Sequence, residues 1–476
     1  MAVRALLGID LGTSGVKALV TGVDGAALGE ADAEYPVVSA RPGWAETDPG
    51  LWWSATVRAV RAALAGARER AGDCAVAAIG LDGQMHGLVL ADAAGRPVRP
   101  ALLWADQRAA AVLGRWTGLP AGLRGRLANP LVPGMTGPLL RWVAEHEPEA
   151  AAAARWALLP KDWLRLRLTG AAGTEPSDAS ATLLWDVPAD GWSAEAAAAV
   201  DLPERLLPPV LPSGAAAGGL TAAAARELGV APDVPVAAGA GDTPAALLAT
   251  GLRPGQAQVT VGSGAQVVTL AGTAEPVPGV HVYRTATAAG WYRMAAVQNA
   301  GIALDWVRGL LGTSWPELYE SADTGAPGAD GVTFVPHLTG ERTPVLDPAA
   351  TGALSGLRLA SDRGTVLRAA LEGVALSVRH AASALPGGLP PQVRLAGGGT
   401  RHPAFRRLLA DVLGVELHPV RLRSASALGA ALLAAEAAGL PAPPIALEEA
   451  EPVRPGERSA DYEPVFARYL ERVRLG

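Results

Sequence analysis

The chain alternates short apolar runs with glycine-rich polar loops, and the first alternation, residues 6–24, sets the pattern for the rest. Leu6, Leu7 and Ile9 read as a buried strand that delivers Asp10 to its end, and Gly12 and Gly15 allow a tight turn after it. Val16, Ala18, Leu19 and Val20 then resume aliphatic character, which predicts strand, loop, strand rather than strand, loop, helix. The pattern returns half a chain later, where Val259 and Val261, then Val267, Val268 and Leu270, flank Gly262, Ser263 and Gly264. Such a spacing predicts an internal duplication. Backbone N–H groups at the tips, beside the hydroxyls of Thr13, Ser14 and Ser263, suit phosphate oxygens, and a carboxylate at the strand end, Asp10, suits Mg²⁺.

Between the two copies the pattern predicts a third strand over residues 26–38 and a helix over 49–70, with Asp48 as its N-cap and Pro49 at its first position. Residues 76–92 read as strand, polar loop, strand, and the loop holds Gln84, Met85, His86 and Gly87. Residues 102–109 read as a strand ending in Asp106, Gln107 and Arg108, a polar cluster where α/β sheets place ligands. Amphipathic helices are expected over 139–159 and 159–170, with Trp142, Trp156 and Trp163 as core anchors, and a short helix over 221–228. The second half predicts helices over 299–311, 363–385, 424–438 and 461–474. Residues 395–414 there read as strand, triple glycine, helix. A triple glycine leaves room for a flat base, and the helix after it points an N-terminus at that gap.

At 476 residues the chain exceeds what one hydrophobic core usually serves, so two domains are expected. Half the residues are apolar and 18% are charged, as in a folded chain, and the net charge of −6 gives no basic field for nucleic acid. A single cysteine, Cys74, excludes an intramolecular disulfide and any multi-cysteine metal site. No signal peptide is expected, and the apolar runs are too short to span a bilayer. Arginine has almost wholly displaced lysine, and the two lysines, Lys17 and Lys161, both fall in stretches singled out by their motifs.

Eight of these stretches, in order, resemble the FGGY carbohydrate kinases: GIDLGTSGVK, WAETDPGLWW, GQMHG, LLWADQR, LPKDWLRLRLTG with the following SDAS, GAGD, GERTP and LAGGG. GQMHG resembles the D-xylulose-phosphorylating branch in particular, and the likeness runs from about residue 6 to 436. It implies an α/β fold of two actin-like (ribonuclease H-like) ATPase domains with a cleft between them. Residues 1–238 would carry the sugar side and first phosphate loop, and residues 239–476 the second phosphate loop and adenosine site. It further implies ATP-dependent transfer of the γ-phosphate to a terminal hydroxyl of a ketopentose, D-xylulose foremost, in the cytoplasm. The implied ligands are ATP, Mg²⁺ and a small sugar, with no nucleic acid and no membrane; a homodimer is left open.

Carried over position by position, the resemblance makes Asp242 the base that takes the proton from the attacking sugar hydroxyl, and Asp10 the acid that acts through Mg²⁺. Gly12, Thr13, Ser14 and Lys17 match the first phosphate loop, and Gly262 and Ser263 the second. Gly397, Gly398 and His402 match the adenosine site, while Gln84, Met85, His86, Asp242 and Thr243 match the sugar contacts. Three positions depart from the family pattern. Thr243 stands where Asn is usual, the second loop reads GSG rather than GTS, and Leu139 replaces a lysine. The first bears on the choice of sugar, so ribulose, a pentitol or gluconate are alternative acceptors. A non-metabolic ATPase related to actin or Hsp70 would share both phosphate loops but lack the cluster around His86.

Overall fold

The computed structural model describes residues 2–287 and 290–475. Strands β1 (Val3–Leu11) and β2 (Gly15–Gly22) form the expected antiparallel hairpin, with Asp10 opposite Lys17, and β3 (Ala27–Glu34) extends it. Helix α1 (Pro49–Ala71) begins where the Asp48 carboxylate accepts the Gly50 N–H, satisfying one of the open donors of its first turn. Strand β4 (Cys74–Gly83) then returns parallel to β1, which sets Asp82 opposite Asp10.

The expected helix over 139–159 is instead two helices, α2 (Thr136–His146) and α3 (Pro148–Ala153), followed by a short strand at Trp156–Leu158. Pro148 explains the break, because it has no N–H to continue the ladder of α2 and fits only the first turn of a new helix. The strand pairs with Val89–Ala91 and so holds the next helix, α4 (Pro160–Thr169), against the first sheet. Strands β5 (Ala216–Gly219), β6 (Pro235–Ala237) and β7 (Ala240–Gly241) complete that seven-stranded sheet, in the order β5-β6-β4-β1-β2-β3 with β7 paired to the end of β4.

Helix α5 (Asp242–Thr250) leaves the first sheet and leads to a second sheet built on the same plan. A hairpin of β8 (Ala257–Val261) and β9 (Ala265–Ala271) lies beside β10 (His281–Arg284) and β11 (Trp291–Val297), and helices α6 (Gly301–Leu310) and α7 (Arg363–Ser383) cover it. Strand β12 (Gln392–Ala396) runs parallel to β8 just as β4 runs parallel to β1, which is the duplication expected from the sequence. Helix α8 (Pro403–Leu413), β13 (Glu416–Arg421), α9 (Ala425–Ala437), β14 (Glu448–Glu449) and α10 (Tyr462–Leu475) finish the lobe, with sheet order β10-β11-β9-β8-β12-β13-β14. Among the described residues no helix is long and apolar enough to cross a membrane.

Alternation along β1 and β4 decides what each sheet face meets. Ala5, Leu7, Ile9 and Leu11 join the core under α1, whereas Leu6 and Ala78 pack against Ala431, Ala434 and Ala435 of α9. Helix α9 therefore lies on the first sheet, although β13, on the second, precedes it in the chain. Two glycines permit this approach: a Cβ on Gly8 would stand 1.9 Å from the Ala427 carbonyl oxygen, and one on Gly80 1.8 Å from that of Ala430. Gly429 of α9 does the same for α5, where a Cβ would lie 2.0 Å from the Ala245 oxygen. The rows Leu6, Gly8, Asp10 and Ala78, Gly80, Asp82 thus run under α9 and emerge at the carboxylates.

Candidate active site

The first hairpin closes with Gly12 N–H bonded to the Gly15 carbonyl at 2.9 Å, leaving Thr13 and Ser14 at the tip. Asp10, Gly12, Thr13, Ser14 and Lys17 line one recess of about 300 Å³. The loop is held from two sides: Trp104 Nε1 donates to Thr13 Oγ1 at 2.9 Å, and Gln84 Nε2 donates to the Gly12 carbonyl at 3.2 Å. Gln84 is buried, and its Nε2 buttresses the loop.

Three carboxylates meet at the ends of adjacent strands. Asp10 ends β1, Asp82 is its register partner in β4, and Ala240 of β7 pairs with Asp82, two residues before Asp242 opens α5. Burial raises the Asp10 pKa, against the opposing pull of Asp82 and Lys17. Burial and then the Asp10 charge lift Asp242 to about 6, while the Thr243 N–H, 2.5 Å from Asp242 Oδ1, and the Thr243 hydroxyl work the other way. Asp82 is fully buried, and burial, Asp10 and Asp242 drive its pKa well above the ordinary carboxylate range. An acid with a pKa near 6 can accept a proton at neutral pH, which suits a general base. Among the described residues no three His, Cys, Asp or Glu side chains gather to chelate a metal directly, so Mg²⁺ here would keep most of its waters, as that ion commonly does. The unpartnered acceptor oxygens of Asp82 and the half-buried carboxylate of Asp10 fit such a hydrated cation.

The second hairpin mirrors the first, with Gly262 N–H bonded to the Gly264 carbonyl at 2.8 Å. The Gly262 and Ser263 carbonyls then cap the start of α6 by accepting N–H groups of Ala300, Gly301 and Ile302, each at 3.0 Å. Gly262 and Ser263 share a cleft of about 530 Å³ with Asp242, Thr243, Trp104 and Arg342. One end of the second hairpin loop and the carboxylate of α5 therefore face a common space. On its other side the loop borders a larger recess, about 970 Å³, lined by Trp315, Tyr319, Gly398, Gly399, Arg401 and His402. Tyr319 stacks on His402 at 5.0 Å between ring centroids and on Trp315 at 5.6 Å. Gly397 serves a different purpose from its neighbours. Its φ of 96° and the 2.2 Å that would separate a Cβ from the Val261 oxygen make it the glycine that lets β12 turn against β8, while Gly398 meets open space.

His86 occupies a left-handed position, φ 64°, at the end of the turn after β4. Its Nδ1 lies 2.8 Å from the Ala181 carbonyl, an acceptor only, so Nδ1 carries the proton. Burial lowers its pKa to about 4, so the ring is neutral and Nε2 offers a lone pair to a hydroxyl. The second lobe faces it with Tyr283, whose ring lies edge-on at 6.0 Å, and Met85 receives the Tyr292 hydroxyl at 3.5 Å. Arg342 Nη2 donates to His281 Nε2 at 3.1 Å, which leaves His281 Nδ1–H for the Tyr283 oxygen at 2.6 Å.

A buried ion network stands behind Asp242. Lys161 lies 2.7 Å from Asp162 and 3.2 Å from both Glu175 and Asp178, all fully buried, and Arg165 joins Asp162 at 3.1 Å. Burial opposes the ammonium, but the three carboxylates outweigh it and push the Lys161 pKa up. The network grips the GAGD turn: Arg165 donates to the Ala238 carbonyl at 2.8 Å, and Gly241 N–H donates to Ser177 Oγ at 3.1 Å. LPKDWLRLRLTG and SDAS are thus the mould in which Asp242 is set.

Sequence reasoning passed over Asp82, Trp104, Arg342 and Tyr319. Asp82 gave the same signal as Asp10, an acid at the end of an apolar strand; Trp104 and Arg342 lay inside quoted motifs; Tyr319 gave none. Asp106 and Arg108, expected near a ligand, are instead a buried bidentate pair at 2.9 and 2.8 Å. Asp106 accepts the Ala45 N–H and Arg108 covers the Trp44 ring at 3.6 Å. The expected strand around them is two residues long, Ala101–Leu102, because this ion pair takes over the backbone geometry beyond it.

Models of the N-terminal and C-terminal domains of the FGGY family of carbohydrate kinases match residues 5–249 and 257–438. A xylulose kinase of Escherichia coli K12 is 37% identical over 460 residues, covering 95% of this chain and 93% of its own. One from Klebsiella pneumoniae is 35% identical, covering 98% and 99%. The crystal structure of a xyloylose kinase from Brucella ovis superposes with a TM-score of 0.90 at 34% identity, covering 98% of each chain.

Proposed function

We propose that this chain, which belongs to the FGGY family of carbohydrate kinases, transfers the γ-phosphate of ATP to a terminal hydroxyl of xylulose, giving xylulose 5-phosphate. The observation that carries this reading is Asp242: a carboxylate with a pKa near 6, held rigidly at the start of α5, facing the same cleft as the second phosphate loop. Phosphoryl transfer needs mainly positioning, charge stabilisation and a base aimed at the incoming hydroxyl. Asp242 takes that hydroxyl's proton. Thr13, Ser14 and Lys17 on one lobe and Gly262 and Ser263 on the other hold the phosphates from opposite sides. The aromatic recess around Tyr319 and His402, floored by Gly398, takes the adenine.

Asp10 would hold Mg²⁺, and the ion, when bound, would neutralise charge on the transferring phosphoryl oxygens. His86, neutral with its Nε2 lone pair free, accepts a hydrogen bond from a sugar hydroxyl, while Met85 packs against Gly241 and Thr243 borders the cleft of Asp242. The cluster around His86 also separates this reading from an actin-like or Hsp70-like ATPase, which has no use for it. An ADP-release assay with D-xylulose, D-ribulose, pentitols and gluconate tests the acceptor. The expected order puts D-xylulose highest in kcat/KM, and a higher value for any other acceptor would overturn the assignment.

A further inference from the structure

Asp82 poses a problem that the reaction described above leaves unsolved. Its side chain is fully buried, and apart from the neighbouring Asp10 carboxyl, itself an acid, no donor reaches either oxygen. Gln84 adds a third such oxygen: its Nε2 is spent on the Gly12 carbonyl, and its buried Oε1 has no partner. Buried acceptors are ordinarily satisfied, and a buried carboxylate without a counter-charge is strongly disfavoured. Protein cations do not fill the need. Lys161, the cation that acts on Asp82, already serves Asp162, Glu175 and Asp178 within 3.2 Å, and Arg165 is bound to Asp162 and the Ala238 carbonyl. Two cations thus face three carboxylates before Asp82 is counted, and Asp10 and Asp242 add two more negative groups on its open side.

Register fixes where a compensating charge would come from. Asp82 stands directly beside Asp10 in adjacent parallel strands, on the sheet face that α9 covers up to Gly8 and Gly80 and then leaves. Asp10 borders the first phosphate-loop recess, and Asp82 lies behind it. We propose that Asp82 is a positioning residue for the divalent cation of the reaction: together with Asp10 and the Gln84 carbonyl oxygen it orders the waters of a hydrated Mg²⁺ at the end of β1. This rests on the reading of Asp10 given above. Two carboxylates plus waters is an arrangement Mg²⁺ favours, because it dehydrates reluctantly, and it agrees with the absence of a three-ligand cage among the described residues. Groups that act on a metal through its waters or ligands typically change its affinity about 10- to 100-fold when removed.

The test uses Mn²⁺ as the probe, titrated into the full-length protein with ADP present and followed by the electron paramagnetic resonance of the free ion. Asp82→Asn should weaken Mn²⁺ binding about 10-fold or more, as should Asp10→Asn, while ADP affinity without a divalent ion stays unchanged. The asparagine also separates this proposal from a buried acid pair that shares a proton, because its N–H₂ can still donate to Asp10 although the charge is gone. Wild-type Mn²⁺ affinity in Asp82→Asn, with weakened binding in Asp10→Asn, would overturn the role of Asp82 and leave the reading of Asp10 standing. Unchanged binding in both would overturn both. A second readout is thermal: without metal, Asp82→Asn should melt above the wild type, and the rise in Tm that Mg²⁺ and ADP give the wild type should shrink. An equal rise in both proteins would also count against the proposal. Should Asp82→Asn fail to fold, Asp82→Ser is read by the same two measurements.

Discussion

Asp242 should impose an acid limb on the reaction about two pH units above that of an ordinary aspartate. Its pKa is raised to about 6 by burial and by the neighbouring Asp10. A base must be ionised to act, so about nine-tenths of the enzyme is competent at pH 7, half at pH 6 and only about a tenth at pH 5. An unshifted aspartate would leave more than about nine-tenths competent even at pH 5. The measurement is the initial rate with both substrates well below KM, so that the free enzyme is titrated, from pH 5 to 8. Product is read directly by phosphorus NMR to avoid the pH limits of coupling enzymes. Asp242→Asn keeps the size, removes the acceptor and should lower the rate by roughly 10² to 10⁴ while abolishing the limb. Stability should move in the opposite direction. The folded-state pKa lies above the unfolded one, so ionising Asp242 costs folding free energy that is fully felt above pH 6 and vanishes below about pH 4. Asp242→Asn is therefore expected to gain on the order of 3 kcal/mol at pH 7 to 8 and nothing near pH 3.5. A rate at pH 5 above about half its pH 8 value, or an Asp242→Asn variant with more than about a tenth of wild-type turnover, would refute the reasoning.

Two further outcomes follow from the site and its support. His86→Gly suits the left-handed backbone at that position while deleting the ring, so it should raise the sugar KM or lower kcat by the equivalent of about 1 to 3 kcal/mol, with the ATP KM unchanged; normal sugar kinetics with a lowered Tm would make His86 structural. Gly80→Ala places a Cβ 1.8 Å from the Ala430 oxygen, so α9 must retreat by more than 1 Å; a loss of at least about 1 to 3 kcal/mol by denaturant melting is expected, and an unchanged Tm would contradict the docking of α9 on the first sheet.

The elements that were legible in the sequence are those whose physics is local. Alternating aliphatic residues around Gly12 and Gly262 could form only hairpins with open tips, and the Asp48-Pro49 start of α1 followed from capping alone. The motifs also carried the family, because glycine-rich hairpin loops and strand-end acids recur in a fixed order along the chain. Where the local signal was interrupted, as at Pro148, or where a buried ion pair overrode strand propensity, as at Asp106 and Arg108, the reading went astray.

What only the tertiary structure decided concerns groups brought together from distant parts of the chain. Nothing in the sequence around Ala425–Ala437 says that this helix lies on the first sheet; that depends on Gly8 and Gly80 leaving room for its backbone from positions far upstream in the chain. The raised pKa of Asp242 arises from burial and from Asp10 on another strand, and its fixed position from Lys161, Arg165 and Ser177 on other elements. Asp82 is the sharpest case. The sequence shows an acid at a strand end, but only parallel register beside Asp10, burial beneath it and the lack of any other donor distinguish it from an ordinary surface aspartate, because electrostatic environment is a property of three-dimensional neighbours rather than of sequence.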